Sequence, residues 1–409
     1  MPVDLSVIPD VAIRKRPPSL KRWSVVLFVF FVCGGFLTSW LWPAHKTIHG
    51  ALFWHCLITL PLILWVLLLG IRWLFYLSAV WPADGWDEER EQDIANENHR
   101  GQRYLLLEEV AVHLPHVVTS GMLTHQFLLP QGVILPAVVN ENTQAVGYQA
   151  VFNDGESTLS ERVLRRIKSL LDDSAIKSAL LSQPYTARPL TVIIQISCEN
   201  ELGKEDTAEI HKCISPLLPV PSKIQFSSQF GLSEIDSWLD APDSFSALLI
   251  VSVNILSLIS DGEGEAAVAL LLRFGAGDTS PLTVTHVHRP ELAKDTTTIH
   301  EAAMQALHWG KTCCEDIAAL WLAGMGVENK SQALLANNNL KFPRAEASAQ
   351  LTDIDMKSGS TGVTSPWLAI ALAAGNVGAV PYPQLIMSMP DGDAQPWWLV
   401  VYPPSQSQS

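Results

Sequence analysis

Basic residues are scarce in this 409-residue chain: 27 Lys and Arg stand against 41 Asp and Glu, a formal charge of −14. That balance, with Asp84, Asp87, Glu88, Glu89, Glu91 and Asp93 crowded into one stretch, argues against nucleic acid and against a peripheral contact with anionic lipid. No Gly-x-x-x-x-Gly-Lys-Ser/Thr loop occurs, and Gly262-Glu263-Gly264 lacks a third glycine at helix-opening spacing, so neither a nucleotide nor a dinucleotide cofactor is expected. The six cysteines (Cys33, Cys56, Cys198, Cys213, Cys313, Cys314) follow no metal-ligand spacing and are read as reduced cytoplasmic thiols, with the adjacent Cys313-Cys314 buried as small apolar residues. No Gly-x-Ser-x-Gly elbow is present, which disfavours a hydrolase triad of Ser227, Asp236 and a distant histidine.

Charge is absent altogether from two long runs, residues 24–42 and 51–71, the second interrupted only by His55 and Pro61. At about 1.5 Å per helical residue each covers roughly 30 Å, the thickness of a hydrocarbon core. Neither run has a polar face, and Trp23, Trp40, Trp42, Trp54, Trp73 and Trp81 cluster near the ends as interfacial anchors do. A cleaved leader does not fit, because the second run follows closely and no small-residue cleavage site precedes it. Residues 23–81 are therefore expected to form a transmembrane helical hairpin. Arg14, Lys15, Arg16, Lys21 and Arg22 in the tail 1–22, against Lys46 alone in the turn, put both termini in the cytoplasm of a two-span protein, as in a bacterial inner membrane. His45 and His49 beside that turn are read as polar filler rather than as pH sensors.

Residues 82–101 read as an acidic linker or a short surface helix, and a soluble domain follows over 102–409. Strand-like apolar runs occupy 105–112, 190–197, 247–253, 266–272, 282–287, 317–322 and 397–402. Between them Leu159, Val163, Leu164, Ile167, Leu170 and Leu171 recur at helical spacing, and Thr298 with Glu301 forms a capping-box pattern ahead of Ala302, Ala303, Ala306 and Leu307. This alternation predicts an α/β domain. Residues 226–253 and 358–402 share one plan, a small-residue loop, an apolar helix, a turn and a strand, which predicts two related halves, 102–275 and 276–409.

The order of elements resembles the thiolase-like superfamily, and within it the β-ketoacyl synthases, over most of 103–403. Val110-Ala-Val-His-Leu-Pro115 looks like that family's first strand and its proline. Asp261-Gly-Glu-Gly-Glu-Ala-Ala-Val-Ala-Leu-Leu271 looks like the glycine-rich turn and strand that close its first half. The resemblance implies duplicated α/β halves in a layered domain, a homodimer joined through the Ala247–Val253 strand or its neighbour, and a cysteine activated at a helix start by dipole and backbone amides.

Every catalytic side chain of that family is missing. Phe226-Ser227-Ser228-Gln229-Phe230-Gly231 stands where the cysteine loop belongs, with Ser227 or Ser228 as the nearest hydroxyl. Ala323-Gly324-Met325-Gly326 matches the His-Gly-Thr-Gly loop with Ala323 in the histidine's place. Asp355-Met-Lys-Ser-Gly-Ser-Thr361 matches Lys-Ser-x-x-Gly-His-Thr, giving Asp355 for lysine and Ser360 for the second histidine. The carboxy-terminal Phe-Gly-Gly motif is replaced by Ser388-Met-Pro-Asp-Gly-Asp-Ala394. Because nucleophile and histidines act as a unit, no catalytic residue, cofactor or metal is expected. His286, His288 and His300 are read as solvent-facing histidines rather than ligands.

The expected function is thus a membrane-anchored pseudoenzyme acting as a cytoplasmic scaffold or adaptor for a protein partner. Its layout is like that of accessory proteins for type VI secretion lipases. The alternative is an acyltransferase or condensing enzyme using Ser227 or Ser228 on acyl thioesters at the membrane, with a base supplied only by residues distant in sequence. Filling of the acyl tunnel by Phe230, Met325 or Trp367 would count against that alternative.

Overall fold

A computed structural model describes residues 8–403, apart from 44–49, 117–122, 140–145, 156, 183–187, 198–201, 228–230, 242–244, 276–283, 327–339, 349 and 390–394. Ser228, Phe230, His45, His49, Cys198 and most of the 388–394 segment lie outside the described residues. Two compact units form, residues 4–97 and 98–409.

In the first unit α1 (Leu20–Leu41) and the start of α2 (Ala51–Gly101) are long and apolar enough to cross a membrane, and they leave almost all of their apolar side chains uncovered. Phe28, Phe36, Leu64 and Phe75 are all exposed. The pair is closely packed: Trp65 Nε1 donates to Trp23 O at 2.9 Å, and a Cβ on Gly34 would stand 2.5 Å from Pro61 Cγ. Thr38 Oγ1 bonds Gly34 O at 2.7 Å, while a π-helical turn at His55–Thr59 adjusts the second helix just before Pro61. The basic tail folds back on the far end of α2, with Arg14 3.1 Å from Asp84 and 2.9 Å from Asp87. The tail and residues 84–90 therefore lie on the same side of the hairpin. Residues 82–101 are helical throughout and continue α2 through Pro82.

The second unit is built on duplicated strands. Its first half holds β1 (Tyr104–His113), a separate ribbon of β2 (Ala137–Val139) and β3 (Val146–Tyr148), then β4 (Leu190–Ser197), β5 (Ser222–Phe226), β6 (Ala247–Asn254) and β7 (Ala266–Phe274). The second half holds β8 (Thr285–His288), a short β9 (Glu291–Leu292), β10 (Ala319–Ala323), β11 (Leu351–Asp353), β12 (Gln384–Ser388) and β13 (Trp397–Tyr402). In space the order is β5-β4-β6-β7-β1 joined to β8-β13-β12-β10-β11. The two fives are mirror copies in sequence order, each with two parallel pairs followed by two antiparallel ones. This is the repeat expected from the shared plan of 226–253 and 358–402. The antiparallel β1–β8 pair joins the halves.

Helices lie in three layers. α3 (Leu123–Leu128) precedes α4 (Leu159–Leu171), α5 (Ser174–Ser182) and α6 (Lys204–Ile214), and the last three cover the outer face of the first half. α7 (Ser233–Asp240) comes next, and α8 (Ile299–Trp309) and α9 (Pro343–Ala347) cover the outer face of the second. After the short α10 (Asp355–Ser358), α11 (Ser365–Val377) lies with α7 in one core shared by the inner faces of both halves. Strand alternation feeds both sides: Leu248 and Ile250 enter that central core, while Leu249 and Val251 pack under α4 and α6. α11 is apolar all round because it is covered on both sides.

Several expectations need correction. Thr298 does not cap α8, since its Oγ1 accepts from Lys294 N and Asp295 N in the preceding turn. The capping box occurs instead at Thr158 and Glu161, ahead of α4. The strand expected over 282–287 runs from Thr285, with 282–283 outside the described residues, and the one expected from Ile317 starts at Ala319. β6 is interior, paired with β4 and β7, so it offers no edge, and the edge strand of the first half is β5. Cys313 is exposed, with its thiol against Asp316 at 3.1 Å, and is not a buried apolar filler. His286 and His288 are buried, not solvent-facing, because Tyr104 packs on both rings and Tyr402 on that of His288.

Candidate functional site

The three loops singled out in the sequence follow β5, β10 and, after α10, β11, and β5 and β11 hold corresponding places in the two repeats. At the first, Ser227 N donates to Ile194 O at 3.0 Å, and Ser227 Oγ donates to Glu234 Oε1 at 2.6 Å. α7 starts only at Ser233, and its N-cap is the fully buried Leu232, preceded by Gly231 at φ +89°. Ser227 is therefore a loop residue ahead of the helix, not a hydroxyl at the helix terminus. Glu234 also shows that an acceptor for its proton comes from nearby in the chain, contrary to the expectation that only distant residues could supply one. Asp236, weighed as a triad member, is bound by Arg289.

At the second loop Ala323 ends β10 as a fully buried methyl, followed by Gly324 at φ +68° and Gly326 at φ +58°. Such a turn presents consecutive main-chain N–H groups to an anion. Here the anion is internal. Gly324 N donates to Asp355 Oδ1 at 2.9 Å and Met325 N to Asp355 Oδ2 at 3.0 Å. Met325 is buried at 1% exposure and Trp367, on α11, at 0%, so two of the three side chains expected to fill a tunnel are in the interior.

The third loop is bound across the two halves. Ser360 N donates to Gly262 O at 2.8 Å, and Gly264 N donates to Ser360 O at 3.0 Å. The glycine-rich turn before β7 thus pairs with the Gly359–Gly362 loop. Inside, polar groups close on one another: Thr361 Oγ1 with Ser365 Oγ at 2.9 Å, Ser252 Oγ with Thr364 Oγ1 at 3.0 Å, and Trp367 Nε1 onto Gln195 Oε1 at 2.6 Å. A Cβ on Gly324 would stand 3.1 Å from Ser365 Cβ, which brings the second loop against the start of α11.

The structure thus gathers Ala323, Gly324, Met325, Asp355 and the 361–365 segment at the start of α11. Lys357 turns away, its Nζ donating to Phe127 O and Leu129 O, and burial pulls its pKa down. Two residues escaped the sequence reading. Glu234 gave no signal because a serine and a glutamate seven residues apart make no motif by themselves. His116, just past the proline of the opening strand, places a ring nitrogen 2.9 Å from Lys357 O, and burial lowers its pKa. Its imidazole supports the main chain of the third loop. Among the described residues no group of three His, Cys, Asp or Glu is arranged to hold a metal ion.

No known protein-family model matches the sequence, and no curated protein matches it. Solved structures do. The chain is similar to the PfaC keto synthase–chain length factor, with a TM-score of 0.53 and 12% identity over 75% of this chain and 43% of that one. It is similar to the ishigamide ketosynthase/chain length factor, with a TM-score of 0.50 and 12% identity over 74% of this chain and 100% of the other. 3-Oxoacyl-(acyl carrier protein) synthase III from Pseudomonas aeruginosa also aligns, at a TM-score of 0.44 and 14% identity over 74% and 99% of the two chains. The fold is thiolase-like, as the resemblance implied.

Proposed function

We propose that this chain, whose fold is thiolase-like, is a membrane-anchored and non-catalytic member of that architecture that acts by binding a protein partner. The observation that carries this reading is the Asp355 carboxylate seated on the Gly324 and Met325 amides. A condensing site needs such donors free for a developing oxyanion, and needs an imidazole beside a nucleophile at a helix start. In this chain the donors are taken by its own side chain, Ala323 replaces the imidazole, and Leu232 caps α7. The two long apolar helices would hold the domain at the membrane, with the basic tail and the domain on the cytoplasmic side. An effector of a secretion system, such as a lipase, is the class of partner suggested by the layout of short anchor and cytoplasmic body. A second copy is the other candidate partner, through the edge strand β5, whose Lys223 is exposed.

The test is acyl loading. The full-length protein in detergent is incubated with short- and long-chain acyl thioesters and analysed by intact-mass and peptide mass spectrometry. Unmodified protein is the expected result. A stoichiometric adduct on Ser227, lost in Ser227→Ala, would overturn the reading in favour of acyl transfer assisted by Glu234. Site-specific crosslinkers at Lys223 test the second-copy partner, with intermolecular β5–β5 products expected.

A further inference from the structure

Apart from Arg72, residues 51–81 of α2 carry no Lys, Arg, Asp or Glu. At about 1.5 Å per residue this helical stretch is roughly 46 Å long, which matches a bilayer with its headgroup layers, about 40–45 Å, rather than a hydrocarbon core of about 30 Å. With the start of α2 at one edge of the core, the last third of the stretch, Trp73 to Trp81, lies at headgroup depth on the other side. One face here is uncovered: Ile71, Leu74, Phe75 and Trp81 recur at helical spacing and are all exposed.

The amino-terminal tail runs along the other side of the helix and is fixed at both ends. Arg14 pairs with Asp84 at 3.1 Å and Asp87 at 2.9 Å, and Ala12 N donates to Asp87 Oδ1 at 2.9 Å. At the far end Trp65 Nε1 donates to Trp23 O at 2.9 Å. Residues 14–23 thus pass beside α2 between Asp84 and Trp65, the length that contains Trp73 to Trp81. Lys15, Arg16, Lys21 and Arg22 on this segment are exposed, and none of the four makes an ion pair among the described residues.

The formal charge of −14 opposes contact of the whole chain with an anionic surface, but distance decides the local balance. Asp84 and Asp87 are occupied by Arg14. Glu88, Glu89, Glu91 and Asp93 begin two helical turns beyond Trp81, about 10 Å away, roughly one Debye length at physiological ionic strength. The four tail cations are therefore uncompensated where the helix beside them is still apolar.

We infer that residues 15–22 form a docking surface for anionic phospholipid, with headgroup phosphates on Lys15, Arg16, Lys21 and Arg22. The open Leu74, Phe75 and Trp81 face keeps this part of α2 within the same leaflet. The inference rests on the membrane-anchored part of the proposed function, and not on its non-catalytic or partner-binding parts.

The full-length protein is reconstituted into phosphatidylcholine vesicles that contain a trace of chain-spin-labelled phosphatidylglycerol or phosphatidylcholine. Electron paramagnetic resonance then reads the share of each labelled lipid held at the protein. Phosphatidylglycerol should be favoured about threefold or more at low salt, and the preference should fall towards unity at about 1 M salt, where the screening length is about 3 Å. Lys15→Gln/Arg16→Gln, which leaves Arg14, Lys21 and Arg22 to keep the orientation, should remove at least about half of the excess, and Lys15→Arg should keep it. Lys177→Gln/Lys204→Gln, equal in net charge but on the exposed surface of the soluble domain, should behave like wild type. Equal retention of both lipids by wild type, no loss in Lys15→Gln/Arg16→Gln, or an equal loss in the soluble-domain variant would each overturn the inference and leave the anchor intact. Amine crosslinks between the Lys15 residues of two chains, without a lipid preference, would assign the surface to a second copy instead. Release of the protein from the vesicles by alkaline carbonate would overturn the anchor and this inference together.

Discussion

Gly264 and Gly359, one from each half of the soluble domain, meet backbone to backbone. A Cβ on Gly264 would lie 1.9 Å from Ser358 O, and one on Gly359 would lie 2.6 Å from Gly264 N. The contact joins the turn before β7 to the loop before α11.

Substitution at this contact should be costly. Gly359→Ala combines a backbone at φ +78° with overlap against main chain that has no freedom to move, so a loss on the order of 3 kcal/mol is expected. Gly155→Ala is the comparison, at φ +67° but with nothing within 4 Å, and should cost only about 1 kcal/mol. Chemical denaturation of the three proteins reads the difference, and equal losses would contradict the close approach.

Asp355→Asn keeps the shape of the side chain but removes its charge and turns one acceptor into a donor facing an N–H. Two charge-assisted hydrogen bonds are affected, and a loss of roughly 2–4 kcal/mol is expected. Hydrogen exchange at the Gly324 and Met325 amides should accelerate selectively. Unchanged protection of those two amides would show that the carboxylate is not their partner in solution.

Arg289 is 1% exposed on its side chain and pairs with Asp236 and, at 2.7 Å, with Asp240, which is itself bound by Arg100 at 2.6 Å. Burial raises the Asp236 pKa in spite of Arg289, whereas Arg100 and Arg289 together outweigh burial at Asp240 and lower its pKa. Arg289→Met leaves two carboxylates without their shared cation and should destabilise by about 3–5 kcal/mol. Arg14→Met, an exposed surface pair at the tail, is expected to have little effect on the soluble domain.

The half-buried Glu291 and the buried His288 give opposite pH dependences. Burial raises Glu291 from 4.5 to about 7, with Trp309 Nε1 donating to it at 3.1 Å. Between those values the folded state holds the extra proton, so this contribution is complete below pH 4.5 and is lost as pH rises through about 7. It amounts to at most roughly 3 kcal/mol. His288, lowered from 6.5 to about 3, works the other way: its contribution is complete above pH 6.5 and is lost as pH falls towards 3. The stability difference between wild type and Glu291→Gln should therefore decline from pH 4.5 to 7. The corresponding difference for His288→Phe should rise from pH 3 to 6.5. Urea unfolding across that range measures both, and flat differences would refute the shifts.

Much of the architecture was legible in the chain. Short continuous apolar runs marked β4, β6 and β7, because strands covered on both sides have no polar face to show. The uncharged runs marked α1 and the start of α2 by their length and lack of a polar face, and small-residue loops at corresponding places marked the repeat.

Sequence by itself thus determined two apolar helices, a duplicated α/β domain and the small-residue loops that carry the resemblance. Only the tertiary structure decided what those loops contact. The Asp355 carboxylate reaches the Gly324 and Met325 amides because β10 and β11 are parallel neighbours whose ends emerge together. Burial of His286 and His288, and the cavity they share with Tyr104 and Tyr402, likewise depend on the β1–β8 and β8–β13 pairings. The reason is physical: periodicity reports which face of a strand is apolar, whereas long-range pairing decides what that face meets.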